Sequence, residues 1–310
     1  MAKVLVTGSR GTIGIPLVKE LKKRGHEVWQ VDLQHCEEPQ YFRADIGEYR
    51  QLEKVFELKY DFVYHLAAEF GRINGEEYYE QVWRTNVIGT RNILELQKKI
   101  GFKLIFTSSS EVYGESGNRV LTENLAEEMP LLQQNDYAIS KWVNELQILN
   151  FEKKFGIPVV RVRLFNAYGP GEYYHPYRSV VCLFCYRALH QQKFQVYENY
   201  HRVFMYIHDL ILTLANIVDR FIAGRVYNIG GQEYRSVEEV AKLVLRYTGS
   251  SEKLIELLPE DLHNTVNKSP DISRAVLELN HTPRVTLEEG LPLTIDWMRS
   301  IYKSLKLPVT

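Results

Sequence analysis

Five short apolar runs, separated by stretches of helical periodicity, constrain this chain more than any other feature. Lys3–Thr7, Glu27–Val31, Asp61–Leu66, Lys103–Thr107 and Val159–Leu164 are rich in Val, Leu, Ile and Phe. Short runs of this kind suit strands that are buried on both faces. Thr12–Arg24, Gly47–Leu58, Glu77–Ile100 and Asp136–Phe155 lie between them and read as helices. Such alternation predicts an α/β fold with a doubly wound parallel sheet.

The pattern changes after Asn166. Tyr168-Gly-Pro-Gly-Glu-Tyr-Tyr-His-Pro-Tyr177 is loop chemistry with aromatic weight. A helix is expected over Arg178–His190, strands over Phe204–Ile207 and Val226–Ile229, and a capping box at Ser236-Val-Glu-Glu239. Asp209 is expected to cap the helix that follows it. The apolar stripe of the last helix, Leu287–Tyr302, reads as core. The expected division is a first domain over 1–165, with 201–230 returning to it, and a smaller C-terminal lobe over 166–310.

Composition limits the partners. The 310 residues carry a formal net charge of −1, which offers no basic field to nucleic acid or an anionic membrane. No apolar run is long enough to span a bilayer, and no charged-then-apolar leader is evident, so a cytoplasmic location is expected. The three cysteines, Cys36, Cys182 and Cys185, suit a reducing compartment. Cys182-Leu-Phe-Cys185 lacks a second ligand pair, so no metal is expected and the two thiols read as small apolar groups on a helix.

Gly8-Ser-Arg-Gly-Thr-Ile-Gly14 falls between a strand and a helix. In that context Gly8, Gly11 and Gly14 let the backbone approach a pyrophosphate, while Thr12 and Ile13 lead into a helix N-terminus with free N–H groups. The second strand ends at Asp32, placed to bind the hydroxyls of an adenosine ribose. Together these predict a Rossmann-type dinucleotide site. A carboxylate repels a 2′-phosphate, so NAD is favoured over NADP, although Arg10 in the glycine turn pulls the other way. Asp45 and Ile46 are expected at the adenine edge, and Leu66, Ala67 and Ala68 beside the cofactor at a strand end.

Tyr137 and Lys141 are four residues apart and share one helix face. An ammonium beside a phenol favours the phenolate, and a phenol of lowered pKa can accept a proton from a hydroxyl as hydride leaves the same carbon. Tyr-x-x-x-Lys by itself is an ordinary solvated helix face; the order of the other motifs gives the pair its weight.

That order resembles the extended short-chain dehydrogenase/reductases, and within them the NAD-dependent epimerase/dehydratase family acting on nucleotide sugars. The resemblance rests on the glycine turn, Asp32, Asp45-Ile46, His65-Leu-Ala-Ala68, Asn86-Val-Ile-Gly-Thr90, Ser108-Ser-Ser-Glu-Val-Tyr-Gly114, Tyr137-x-x-x-Lys141, Arg163-Leu-Phe-Asn166, Tyr168-Gly-Pro170, Arg202-x-Phe and Tyr227-Asn-Ile-Gly-Gly231. It implies that Tyr137 is the base toward a sugar C4 hydroxyl and that Lys141 holds the nicotinamide ribose and lowers the tyrosine pKa. It also implies that Ser109 shares the sugar oxygen, that Asn166 contacts the sugar or its phosphate, and that Arg202 and Arg178 clamp the diphosphate. Ser110 and Glu111 would decide the reaction of the sugar after its C4 oxidation. Glu111 argues against a plain 4-epimerase and leaves a 4,6-dehydratase, a uronate decarboxylase or a C4 oxidase, and a decarboxylase would need an arginine such as Arg72. A finer likeness, through Phe70-Gly-Arg-Ile-Asn-Gly-Glu76, Asn135–Glu145 and Pro170–Leu189, is to the GDP-heptose C4 dehydrogenases of capsule synthesis. The family also implies self-association, as a homodimer or a dimer of dimers, through Glu77–Ile100 and Asp136–Phe155.

Overall fold

The computed structural model describes residues 1–117, 119–261 and 264–305. Seven strands form its central sheet: β1 (Lys3–Thr7), β2 (Glu27–Asp32), β3 (Tyr41–Arg43), β4 (Phe62–His65), β5 (Lys103–Ser109), β6 (Val159–Leu164) and β7 (Val226–Ile229). Their order is β7-β6-β5-β4-β1-β2-β3, and every neighbouring pair is parallel. The order reverses between β1 and β4, where an open α/β sheet leaves a crevice at the carboxyl ends of its strands.

The helices cover both faces because the strands have no polar face to offer water. The helices α1 (Gly14–Lys23), α2 (Tyr49–Phe56), α3 (Gly89–Ile100), α4 (Asp136–Phe155) and α5 (Ile207–Asn216) do this work. Leu17, Leu21, Leu210 and Leu214 of α1 and α5 close one face over Val4, Val6 and Tyr64. Leu52, Ile93, Leu94, Ile148 and Phe151 of α2, α3 and α4 close the other over Leu5, Val63 and Leu104.

Beyond the sheet, a four-stranded layer joins Tyr234–Ser236, His201–Val203, Asn267–Pro270 and Val120–Leu121. It sets Arg202, which lines the main crevice, beside Lys268 from a distant stretch of chain. The capping box at Ser236 and Glu239 is present.

Several elements differ from expectation. The helix expected over Glu77–Ile100 is broken into Arg72–Glu77, Tyr79–Val82, a π-helical turn over Trp83–Ile88 and then α3. In the π turn, Asn86 donates to Glu69 O at 2.9 Å and to Ser140 Oγ at 3.0 Å. The expected strand Phe204–Ile207 is only Met205–Tyr206, because Ile207 already opens α5. β3 is three residues long, too short for periodicity to reveal. Asp209 sits inside the first turn of α5 and accepts the N–H groups of Arg284 and Val285, at 2.7 and 2.9 Å, instead of capping the helix.

Candidate active site

A cleft of about 1190 Å³ runs along the carboxyl ends of the strands. At one end is the turn between β1 and α1. Gly8 has φ +67°, and a Cβ there would lie 2.7 Å from the Ala67 nitrogen. A Cβ on Gly14 would lie 2.2 Å from the Gly8 carbonyl oxygen. Only glycine lets these backbones approach so closely. No side chain caps α1; the Ile15 N–H already donates to the Gly11 carbonyl at 3.1 Å and Pro16 has none, so Gly14 supplies the N–H at the start of the helix that can meet an anion. Gly8, Gly11, Thr12, Ile13 and Gly14 line the cleft, as do Asp32, Asp45, Ile46, Leu66, Ala67 and Ala68. The donors of a helix N-terminus, a carboxylate at the end of β2 and small residues along β4 fit a dinucleotide.

Arg10 departs from its expected place. It does not line the cleft, and its guanidinium pairs with Glu38 at 3.0 Å.

Tyr137, Lys141, Ser109, Ser110 and Glu111 line the middle of the same cleft. Helix α4 starts on Asn135, whose side chain accepts the Ala138 N–H at 2.8 Å. That start turns Tyr137, Lys141 and Glu145 onto the face packed against the sheet. The Lys141 ammonium donates to the Thr107 carbonyl at 2.9 Å. Burial lowers the Lys141 pKa to about 8, against the opposing charge of Glu145. Behind it, buried His65 bridges Thr7 and Thr90, at 2.9 and 3.1 Å. Burial and then Lys141 push its pKa down to about 3, so this imidazole is neutral and structural.

The expected lowering of the Tyr137 pKa does not hold in this fold. Burial drives it up to about 12; a hydrogen bond with Ser109 opposes the rise and the Glu111 charge adds to it. The desolvation of a phenolate outweighs any pull from Lys141, whose ammonium is turned toward Thr107. The phenol therefore rests protonated, with Ser109 drawing its pKa down against burial.

Ser109 ends β5 and caps the short turn Ser110–Tyr113, accepting the Glu111 N–H at 3.2 Å. That turn aims Glu111 into the cleft. Its carboxylate forms an ion pair with Lys268, which lies behind it and is only 1% exposed. Burial alone would raise the Glu111 pKa, but Lys268, Arg72 and Arg202 overcome it and hold the carboxyl below its usual range. Lys268 is in turn lowered by burial to about 8. Sequence reasoning missed Lys268. It is 157 positions from Glu111 and carries no local motif, so only the fold brings them together.

The expected phosphate and sugar contacts divide. Asn166 lines the cleft at φ 31° and donates to the Val203 carbonyl at 3.0 Å. Arg178 lines it with the guanidinium carbon 4.5 Å from the Phe70 ring centre, and its buried Nε has no hydrogen-bond partner among the described residues. Arg202 also borders the cleft, but its terminal nitrogens donate to His201 O at 2.8 Å, Val266 O at 2.7 Å, Asn264 Oδ1 at 2.9 Å and Thr265 O. Those bonds tie down residues 264–266 and leave it less suited to a diphosphate than Arg178. Arg72 lines the cleft and pairs with Asp261 at 2.5 Å. Arg187 lines it too, unforeseen from the sequence.

Cys182 and Cys185 lie together on Val180–Leu189, and burial pushes both thiols well above their ordinary range. Among the described residues no cluster of His, Cys, Asp and Glu is placed to hold a metal ion. No helix among them is long and apolar enough to cross a membrane.

The chain is 32% identical to a UDP-N-acetyl-alpha-D-glucosaminuronate decarboxylase of Bacillus cytotoxicus, over 96% of this chain and 98% of that one. Its fold superposes on dTDP-glucose 4,6-dehydratase from Bacillus anthracis, solved with NAD, with TM-score 0.85 at 26% identity over 100% of both chains. It superposes equally on MoeE5 in complex with UDP-glucuronic acid and NAD, with TM-score 0.85 at 26% identity over 96% of this chain and 99% of that one. Residues 4–230 match the model of the NAD-dependent epimerase/dehydratase family, and the chain, an NAD-dependent enzyme by its fold and cleft, belongs to that family.

Proposed function

We propose that the protein oxidises C4 of a nucleotide-diphosphate sugar to a 4-keto sugar. The carrying observation is that Tyr137, Lys141 and Ser109 share one cleft with the glycine turn. The turn, Asp32 and Lys141 would hold NAD, with Asp45, Ile46 and Leu66–Ala68 along its length. When bound, NAD supplies the acceptor for the C4 hydride. Ser109 and Tyr137 hold the C4 oxygen; once the Tyr137 phenol has given up its own proton, the phenolate takes the C4 hydroxyl proton as the hydride leaves the carbon. Lys141, its pKa lowered to about 8 by burial, is a neutral amine in a fraction of the molecules, and that form is the acceptor for the phenol's proton. Arg178, with an uncommitted buried nitrogen, is the better of the two arginines for a diphosphate oxygen.

A second step is favoured by the charges at the far end. Lys268, Arg72 and Arg202 surround Glu111, and even with Asp261 counted they leave an excess of positive charge. A sugar carboxylate at C6 suits that excess better than a neutral hydroxymethyl group. Once C4 is a ketone, a C6 carboxylate belongs to a β-keto acid and leaves readily as carbon dioxide. The uronate decarboxylase at 32% identity supports the same reading. It weighs against the GDP-heptose substrate implied by the finer likeness and against the capsule role that goes with it. Loss of water, as in a 4,6-dehydratase, is the competing fate, with Glu111 as the carboxylate in the cleft that would take the C5 proton.

The test is incubation with UDP-glucuronic acid, its 2-acetamido relative, dTDP-glucose and a GDP-heptose, followed by product mass. Loss of carbon dioxide from a uronate supports the full reading. Loss of two hydrogens supports C4 oxidation alone, loss of water supports the dehydratase, and no change in any sugar overturns the proposal.

The outward face of α4 exposes Ile139, Leu146 and Leu149, and Ile88 is exposed on the preceding π turn. We take this apolar stripe as the contact with a second copy of the chain.

A further inference from the structure

Arg10 presents a problem that the fold resolves. A guanidinium in the glycine turn, a few residues from the dinucleotide, is the cation that a 2′-phosphate on the adenosine ribose would seek. The chain nevertheless ends β2 in a carboxylate. Asp32 accepts the Arg10 backbone N–H at 2.9 Å through one oxygen and the Gln34 N–H at 3.1 Å through the other. Asp32, Leu33 and Gln34 line the cleft.

The loop after β2 folds back over the turn. The side chain of Arg43 holds the Leu33 carbonyl at 3.0 Å, and Tyr41 donates to the Gln34 carbonyl. This places Glu38 beside Arg10, with Nη1 3.0 Å from Oε1. The other Glu38 oxygen accepts from Gln30 Nε2 at 3.2 Å, and Gln30 is only 1% exposed. Glu38 is therefore held from behind and cannot easily swing away from the guanidinium. The pair itself is partly exposed, 29% and 46% for the two side chains, so it contributes little to stability. Its effect is on the field at the ribose. With Glu38 in place, Asp32, Glu38 and Arg10 together carry one net negative charge, and the guanidinium of Arg10 is already committed, a poor setting for a phosphate dianion even with Lys22 and Arg43 nearby.

We propose that Glu38 is a specificity-determining residue: by occupying Arg10, it makes the site select NAD over NADP. The proposal rests on the reading that the Gly8–Gly14 turn holds the dinucleotide. Asp32 alone disfavours the phosphate, and Glu38 removes the one cation in the turn that could compensate.

The experiment compares NAD and NADP affinities, by quenching of protein fluorescence, in the wild type, in Glu38→Gln and in Glu38→Gln combined with Arg10→Ala. The glutamine keeps the shape of the side chain and its acceptor for Gln30. Glu38→Gln should tighten NADP about tenfold, as one freed charge-assisted hydrogen bond of about 1.4 kcal/mol implies, and change NAD by less than about twofold. Adding Arg10→Ala should abolish the gain. Unchanged NADP affinity in Glu38→Gln overturns the proposal, and so does a gain that survives without Arg10, which would point to Arg43. A wild type that binds neither dinucleotide overturns the parent reading as well, whereas a wild type that binds NAD without any shift in the variant removes only the role of Glu38.

Discussion

Two partly buried groups at the centre of the cleft differ from their free forms in opposite senses, and each difference predicts a measurement. Tyr137 is held protonated by burial, so it can act as a base only after its phenol proton has passed to another group, for which Lys141 is the candidate. Tyr137→Phe should reduce turnover by about 10²–10⁴-fold and leave NAD affinity intact, by stopped-flow and fluorescence titration. Equal turnover would remove the tyrosine from the chemistry. Glu111 is held ionised chiefly by Lys268 against its own burial. A carboxyl with a depressed folded pKa contributes stability above the ordinary carboxylate range and loses it as pH falls through the depressed value. Removing the cation by Lys268→Met raises that pKa. The acid limb of the kcat/KM profile should then move to higher pH, and an unmoved limb would mean that Glu111 titrates outside the reaction. Residue types are legible from the sequence where chemistry and local spacing coincide, as at Tyr137, Lys141 and Asp32. They are not legible where the partner comes from across the molecule. Nothing near Lys268 marks it, and nothing near Arg202 reveals that its nitrogens are consumed by four neighbouring acceptors.

Among the elements, α4 carries the most of the site. Its bounds, Asp136–Phe155, follow from an Asn135 cap and a left-handed Gly156 at φ 64°, both readable from the sequence. Its buried face continues past Lys141 to Glu145, which accepts from Ser108 at 2.5 Å and from Arg163 at 2.8 and 2.9 Å. Arg163 goes on to Tyr113 at 2.8 Å, and Tyr113 to Asn228 at 2.7 Å. Glu145→Ala would strand a guanidinium that is almost wholly enclosed. Thermal denaturation should show a loss of about 3–5 kcal/mol, and a loss under about 1 kcal/mol would mean that the arginine finds another partner. The β1–α1 turn makes a narrower prediction. Gly14→Ala puts a methyl 2.2 Å from the Gly8 oxygen, so the turn must open, and NAD affinity should fall together with the melting temperature. The expected single helix over Glu77–Ile100 fails for a reason invisible in its apolar pattern. Asn86 bonds Glu69 and Ser140, and the helix is π-wound at that asparagine.

On the scale of the whole molecule, the alternation of strands and helices is enough to infer a parallel sheet, and the return of Val226–Ile229 to its edge falls within the region expected to rejoin it. The four-stranded layer is not foreseen, because its strands are two to four residues long and pair across most of the chain. If the exposed stripe on α4 meets a second copy, Leu146→Glu should shift the sedimentation coefficient to that of a monomer; an unchanged value would place any contact elsewhere. The same layer has a further consequence. Asn267–Pro270 is wedged parallel to His201–Val203 on one side and Val120–Leu121 on the other, and it delivers Lys268 to Glu111. A nascent chain emerging from the ribosome has its glycine turn and its tyrosine long before it has this strand. Such an intermediate acquires a dinucleotide-shaped groove while Glu111 still lacks its paired Lys268, so the charge at the reacting end is completed only when a strand made long after the turn and the tyrosine is in place.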